Sequence, residues 1–150
     1  MKSNHTNPSL SELKILIGKW EMELSNASFL PDSAAILKGD ASFEWFEDGD
    51  FLIMRQGTKG NGMPWATWFI GRDDSSPDYT VLYIDDRRVS RVYEMSFAKG
   101  VWKIWRNVPK FSQRFTGEID KDVKVINTSW KKSTDGKNWE HDFDIKYTKQ

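Results

Sequence analysis

Apolar and polar residues alternate at a period of two along most of this chain, and turn signals interrupt the alternation at nearly even spacing. After Gly18, for example, Trp20, Met22 and Leu24 alternate with charged residues, which is typical of a strand with one solvent-exposed face. About nine turn signals follow, including Asp48-Gly49, and they imply about ten strands. Because nearly all connections are of hairpin length, the pattern predicts neighbouring antiparallel strands.

A meander of this length has two long edges if it stays open, and unpaired edges promote aggregation. Sheet twist allows such a meander to close on itself. The sequence therefore predicts an all-β fold, a closed antiparallel up-and-down barrel of about ten strands. Residues 8–18 carry Leu10, Leu13 and Leu16 at helical spacing, which predicts a short N-terminal helix capped by Ser9.

Length and composition restrict the organisation and the partners of the chain. A chain of 150 residues suffices for one core, so we expect a single domain over residues 1–150, with residues 1–8 flexible. Lys and Arg together number 22, as do Asp and Glu, so no basic field is available to attract nucleic acid. We expect no membrane span, because no window approaches about 18 unbroken apolar residues. With no cysteine and no secretory signal, we expect a cytoplasmic protein.

The residues that point into the barrel should define its function, because about ten strands enclose a space too wide for their own side chains to fill. The alternation over residues 89–97 places Arg91 with the bulky inward set. The same reasoning applies to residues 101–106, to residues 111–116 and to the last strand, residues 139–147. Residues 51–56 and 64–70 have apolar residues on both faces, so the pattern does not show which face points inward. The expected ligand-binding residues are Arg91, Tyr93, Arg106, Gln113, His141 and Tyr147.

Two inward arginines suggest what the cavity binds. An ionised guanidinium in apolar surroundings is costly unless it is paired, and a carboxylate is its best partner. Arg91 and Arg106 therefore predict a small, mostly apolar or amphipathic ligand with an anionic group, bound without catalysis and without a cofactor. The alternative is that both arginines pair with Glu44, Glu94 or other structural carboxylates, or that they extend to the mouth of the barrel.

Motifs for catalysis are scarce: the chain has no nucleophile elbow, no His-Glu-x-x-His and no glycine-rich phosphate loop. An isomerase or lyase that acts on an enclosed organic acid through Tyr93, His141 and Glu44 stays open as an alternative. A homodimer formed through one barrel face is a further expectation.

Several motifs resemble known barrel families. The short helix followed by Gly18-Lys19-Trp20 resembles the opening of lipocalins and other calycin-like barrels. Trp45 with residues 48–52 (DGDFL), then residues 62–64 (GMP) and 70–74 (IGRDD), resemble the uncharacterised lipocalin-like barrel proteins of bacteria. The resemblance implies a calycin-like architecture with no settled activity.

Two further barrel groups offer functional comparisons. Nitrobindin-like barrels are similar in size, in strand number and in a late histidine that ligates haem, which implies haem as an alternative cofactor and His141 as its ligand. The nitrobindin opening Gly-x-Trp-x-Gly-x-Gly differs here, since residues 21–24 contain no glycine. Fatty-acid-binding and retinoid-binding barrels are similar in their interior Arg and Tyr side chains, which implies carboxylate binding by Arg91, Tyr93 and Arg106.

Overall fold

The computed structural model describes residues 7–60 and 62–150, and ten antiparallel strands in it close into one barrel. Each strand pairs with its neighbours in sequence, and the ring closes where Trp20 on the first strand lies opposite Lys149 on the last. The predicted closed up-and-down barrel is confirmed. The strands are β1 (Gly18–Ser25), β2 (Leu37–Phe46), β3 (Phe51–Thr58), β4 (Ala66–Arg72), β5 (Tyr79–Asp85), β6 (Ser90–Ala98), β7 (Val101–Arg106), β8 (Ser112–Ile119), β9 (Val125–Ser133) and β10 (Glu140–Lys149).

Strand β6 illustrates how the alternation becomes a barrel wall. Its residues Tyr93, Met95 and Phe97 are buried in the interior, whereas Val92 between them is 68% exposed. Neighbouring strands add inward residues at the same level, because cross-strand partners point to the same face of a sheet. The inward phases predicted for β6, β7 and β8 are confirmed.

A 3₁₀ helix, Pro8–Leu16, closes one end of the barrel, and we call it the plug helix. Leu10, Leu13 and Leu16 have no exposed surface, and the helix contacts β4 and β6. Burial of these three leucines supplies the main free-energy gain of this short element. The loops β1–β2, β3–β4, β5–β6, β7–β8 and β9–β10 all lie at the opposite end, which is the end left open.

The start of the plug helix corrects one expectation. The cap is Asn7 and not Ser9, and the Asn7 side-chain oxygen accepts a hydrogen bond from the Ser9 backbone N–H at 3.0 Å. Pro8 occupies the first helical position, where its missing N–H costs nothing, so the cap falls one residue earlier. Asn7 also donates its backbone N–H to Gly49. The flexibility expected for residues 1–8 stays a prediction: residues 1–6 lie outside the described part, and Asn7 and Pro8 form the start of the plug helix.

In the part of the chain that the structure describes, no helix has the length and apolar character that crossing a bilayer requires.

Candidate ligand-binding cavity

A cavity of about 330 Å³ opens at the end of the barrel opposite the plug helix. This volume is within the range of ligand sites, about 300 to 1,000 Å³. Its walls come from loops at the open end and from the adjoining halves of the strands. The lining residues are Phe29, Gly62, Met63, Pro64, Trp68, Tyr83, Arg87, Arg91, Tyr93, Phe111, Gln113, Trp130, Lys132, Asp142 and Phe143.

Aromatic rings form the inner walls of the cavity. The Trp68 ring centroid lies 4.7 Å from that of Tyr83 and 5.2 Å from that of Tyr93. Trp130 lies 6.1 Å from Trp68 and stacks on Phe143 at 5.9 Å. These separations are typical of favourable aromatic pairs. The pairs hold one another in place, so the walls are formed before any ligand arrives.

Arg91 lies on the cavity wall, as the sequence predicts. Its guanidinium carbon is 4.8 Å from the ring centroid of Phe111 and 5.9 Å from that of Tyr83. Within residues 7–60 and 62–150, Arg91 has no ion-pair partner. Contact with aromatic faces stabilises the cation partly, but no carboxylate satisfies its in-plane donors.

Arg106 lies against two lining rings and is not itself part of the cavity surface. Its guanidinium carbon is 5.8 Å from the Tyr93 ring centroid and 5.9 Å from that of Phe111. Its Nε and Nη1 atoms are buried, and neither has a hydrogen-bond partner among the described residues. Buried donors without acceptors are costly. Trp68 and Trp130, both lining residues, likewise have buried indole N–H groups without an acceptor.

Tyr93 and Gln113 form a buried hydrogen bond in the wall between the arginines. The Tyr93 hydroxyl donates to Gln113 Oε1 at 2.6 Å. Burial raises the pKa of Tyr93, while Arg91 and then Arg106 act in the opposite direction through charge and hydrogen bonding. The phenol therefore keeps its proton at neutral pH, which makes Tyr93 a hydrogen-bond donor and a poor general base.

The predicted carboxylate partners of the arginines are engaged elsewhere. Glu44 pairs with Arg55 on the exposed outer surface, and Glu94 accepts a hydrogen bond from Trp105 Nε1 at 2.6 Å. The alternative that Arg91 or Arg106 pairs with Glu44 or Glu94 is therefore wrong, since outward residues on β2 and β6 cannot reach the interior. For the same reason Glu44 cannot act on a molecule inside the barrel.

Charge at the open end is mainly positive. Arg87, Arg91 and Lys132 line the cavity together with one carboxylate, Asp142. Asp142 accepts a hydrogen bond from Ser28 Oγ at 2.7 Å and lies 3.6 Å from the Lys132 ammonium. The only lining carboxylate among the described residues is therefore already partnered.

Arg87 pairs with Asp85 at 2.7 Å, and the same carboxylate accepts the Tyr83 hydroxyl at 2.6 Å. Burial opposes ionisation of Asp85, but hydrogen bonds from Arg87, from Tyr83 and from backbone amides outweigh it and lower its pKa to about 2. This network fixes Tyr83 at the rim of the cavity.

The prediction that His141 faces the interior is wrong. A β-bulge between His141 and Phe143 inserts Asp142 into the alternation of β10. The His141 side chain is 42% exposed and its Nε2 lies 2.8 Å from Asp144 Oδ1. Since the ring lies outside the barrel, the haem alternative loses its expected ligand. Trp139, two residues before His141, packs against the Arg114 guanidinium, whose carbon lies 3.9 Å from the centroid of the Trp139 ring.

Tyr147 is buried as predicted but does not line the cavity. Its hydroxyl donates to Gln56 in the packed half of the barrel, and its ring lies 6.2 Å from that of Trp102. Burial raises the pKa of Tyr147. Tyr147, expected among the ligand-binding residues, therefore lies outside the lining of this cavity, in the part of the interior that side chains fill.

Several lining residues escaped the sequence reasoning. Trp68 lies on β4, where both faces are apolar, and its inward direction follows only from its pairing with Tyr83 on β5. Lys132 and Asp142 are charged residues that the pattern favours on the outside. Trp130 lies in a regular alternation on β9, which indicates an inward residue but not its place on the cavity wall. Only this alternation could have identified a lining residue.

Comparison with known proteins bears on the fold. No family model and no curated protein matches the chain. Among solved structures, the crystal structure of Rv2717c from M. tuberculosis is similar over 97% of this chain and 99% of that chain, with a TM-score of 0.69 and 12% sequence identity. The two proteins share a fold. At this identity the similarity extends to the architecture alone.

Proposed function

We propose that the barrel binds a small, mostly apolar molecule with an anionic group in the cavity at its open end, and that it does so without catalysis. The observation that carries the proposal is the pair of arginines at the aromatic wall, Arg91 and Arg106, neither of which has a carboxylate partner in the described part of the chain. An anion bound at the lining would accept hydrogen bonds from the Arg91 guanidinium, and the charge of Arg106 behind the lining rings would attract it.

The balance of donors and acceptors supports an anion over a cation. Among the described residues, Arg91 on the lining has no carboxylate partner, and the buried indole N–H groups of Trp68 and Trp130 have no acceptor. Two side-chain acceptors of the lining are engaged: Gln113 Oε1 by Tyr93 and Asp142 Oδ1 by Ser28. A cationic ligand would meet three positive side chains and one carboxylate that is already partnered on the described lining. The charge therefore favours a carboxylate or a similar acid.

The proposal includes a lipocalin-like kind of barrel and a cytoplasmic location, and the absence of cysteine supports the location. Two earlier expectations remain predictions, namely the homodimer and the absence of nucleic-acid partners. The isomerase or lyase alternative has less support, since Tyr93 keeps its proton and both His141 and Glu44 lie outside the barrel.

The test compares acids with their neutral analogues by isothermal titration calorimetry. Decanoate and 2-naphthoate are titrated beside 1-decanol and 2-naphthylmethanol into the wild-type protein and into Arg91→Gln. A charge-assisted hydrogen bond is worth about 1.5 to 3 kcal/mol, so Arg91→Gln should weaken binding of an acid about tenfold to hundredfold and leave that of the alcohol unchanged.

Arg114→Gln is the matched control, because Arg114 is an arginine on the outer surface stacked on Trp139. It should leave binding of every probe unchanged. Equal affinity for acid and alcohol, or an Arg91→Gln variant that loses thermal stability but keeps its affinity for both acids, would contradict the proposed function. Native mass spectrometry of the protein purified from cells would then identify any retained molecule.

A further inference from the structure

We propose that the molecule bound in the cavity is a flat aromatic acid, one or two fused rings bearing a carboxylate, rather than an acid with a flexible alkyl chain. The inference rests on the proposed function and deepens it. Its basis is the composition of the wall: seven of the fifteen lining residues that the structure describes are aromatic, and none of these fifteen is Leu, Ile, Val or Ala. The aliphatic residues of the core lie elsewhere in the barrel.

An aromatic wall distinguishes rings from alkyl chains through geometry. Both kinds of ligand gain from burial of apolar area, but only a ring gains from offset or edge-to-face contact with aromatic neighbours. Trp130 and Phe143 are inclined by only 28° at 5.9 Å, and Phe29 meets Phe143 edge-on at 5.7 Å. These rings already adopt the arrangement that a planar ligand would extend.

The position of Arg91 fixes which end of the ligand carries the charge. In the ring of ten strands, β6, which carries Arg91, lies three positions from β9 and four from β10. Arg91 and the Trp130–Phe143 pair therefore lie on different parts of the cavity wall. Arg91 also lies two residues nearer the open end than Tyr93. A carboxylate on Arg91 leaves the ring of the ligand against Trp130 and Phe143.

The size of the cavity limits the ring system. About 330 Å³ lies at the low end of the range for ligand sites, which suits one or two fused rings. The probe 2-naphthoate has this shape, and decanoate offers a carboxylate on a flexible chain of comparable apolar size. The pair therefore separates ring recognition from apolar burial at constant charge.

The experiment measures both probes by isothermal titration calorimetry in the wild-type protein, in Phe143→Leu and in Phe46→Leu. Phe143→Leu keeps an apolar side chain on the wall and removes the ring. Phe46 is a matched control, since it is 39% exposed and makes its ring contact with Phe69 rather than with any lining residue. Circular dichroism establishes that each variant is folded.

We expect 2-naphthoate to bind more tightly than decanoate. Phe143→Leu should weaken 2-naphthoate binding roughly threefold to tenfold, with little effect on decanoate, and Phe46→Leu should change neither. If Phe143→Leu fails to fold, Phe29→Leu at the 47% exposed rim position replaces it with the same expected pattern.

Two failures are distinguishable. If decanoate binds as tightly as 2-naphthoate, or if Phe143→Leu weakens both equally, the aromatic preference is overturned while the anion site stands. If neither acid binds more tightly than its alcohol, or if no probe binds at millimolar concentration, the proposed function fails and the inference fails with it.

Discussion

Replacing Arg106 by methionine should stabilise the ligand-free protein and weaken its binding of acids. Arg106 carries two buried donors without partners, Nε and Nη1, and methionine fills a similar volume without any donor. A buried charge whose removal raises stability is typical of a functional site, and Arg106 lies behind the lining rings of Tyr93 and Phe111, where its charge attracts an anion without contact.

The magnitude follows from the contacts of Arg106. Each unsatisfied buried donor costs about 2 kcal/mol, in the middle of its usual range, so the pair costs about 4 kcal/mol. Against this stand two cation–π contacts, with Tyr93 and Phe111, at about 1 kcal/mol each. The interaction with the Tyr93 hydroxyl adds about 1 kcal/mol. The net gain for Arg106→Met is about 1 kcal/mol, which raises the Tm of a domain of this size by about 2 to 4 °C.

The assay is thermal denaturation followed by circular dichroism, with calorimetric titration of 2-naphthoate on the same preparations. We expect a higher Tm and a weaker affinity for Arg106→Met, and no change in either for the outer-surface control Arg114→Gln. A Tm lower by several degrees together with unchanged affinity would refute the reasoning, because Arg106 would then be a structural residue satisfied by the fold.

Three other changes test the fold and the corrected site. Leu13 in the plug helix has no exposed surface, and Leu13→Ala should lower the free energy of unfolding in urea by about 2 to 5 kcal/mol. Ile15 is 38% exposed, and Ile15→Ala should lower it by less than about 1 kcal/mol. Equal losses would mean that the helix does not pack into the end of the barrel. The pKa of Asp85 is lowered from 3.8 to about 2, so the stability that ionised Asp85 contributes is complete above about pH 4 and is lost as the pH falls through 2. Asp85→Asn should therefore flatten the fall in Tm between pH 4 and pH 2. An unchanged fall in Tm would contradict the stabilising role of ionised Asp85. His141→Ala should leave the haemin absorption spectrum of the protein unchanged, and a Soret shift that disappears in the variant would restore the haem alternative.

The sequence predicted the strand phases of β6, β7 and β8, where one face was clearly apolar, and that of β10 only from Phe143 onward. On β6 the alternation of Tyr93, Met95 and Phe97 with polar or exposed neighbours leaves a single phase, and Arg91 follows it into the cavity wall. Gln113 on β8 is placed correctly for the same reason. On β4 both faces are apolar, because outward residues such as Phe69 cover the outside, and so Trp68 could not be assigned.

The sequence also did not predict how far each inward residue lies from the open end of the barrel. Tyr147 and Phe143 are both inward residues of β10, yet only Phe143 lines the cavity. Alternation reports which face a residue occupies, but the depth of a cavity depends on how far the plug helix and the large rings of Trp20 and Trp102 fill the interior. That filling is a property of all strands together.

The local pattern of residues by itself determined the all-β fold, the closure into a barrel and the inward direction of Arg91, because period-two alternation is a property of each short segment. Only the tertiary structure decided that His141 points outward. Ser28 donates its backbone N–H and its hydroxyl to Asp142, and β9 pairs Trp130 with Phe143. These contacts join residues distant in sequence and hold Asp142 as the extra residue of a bulge, which reverses the alternation before it.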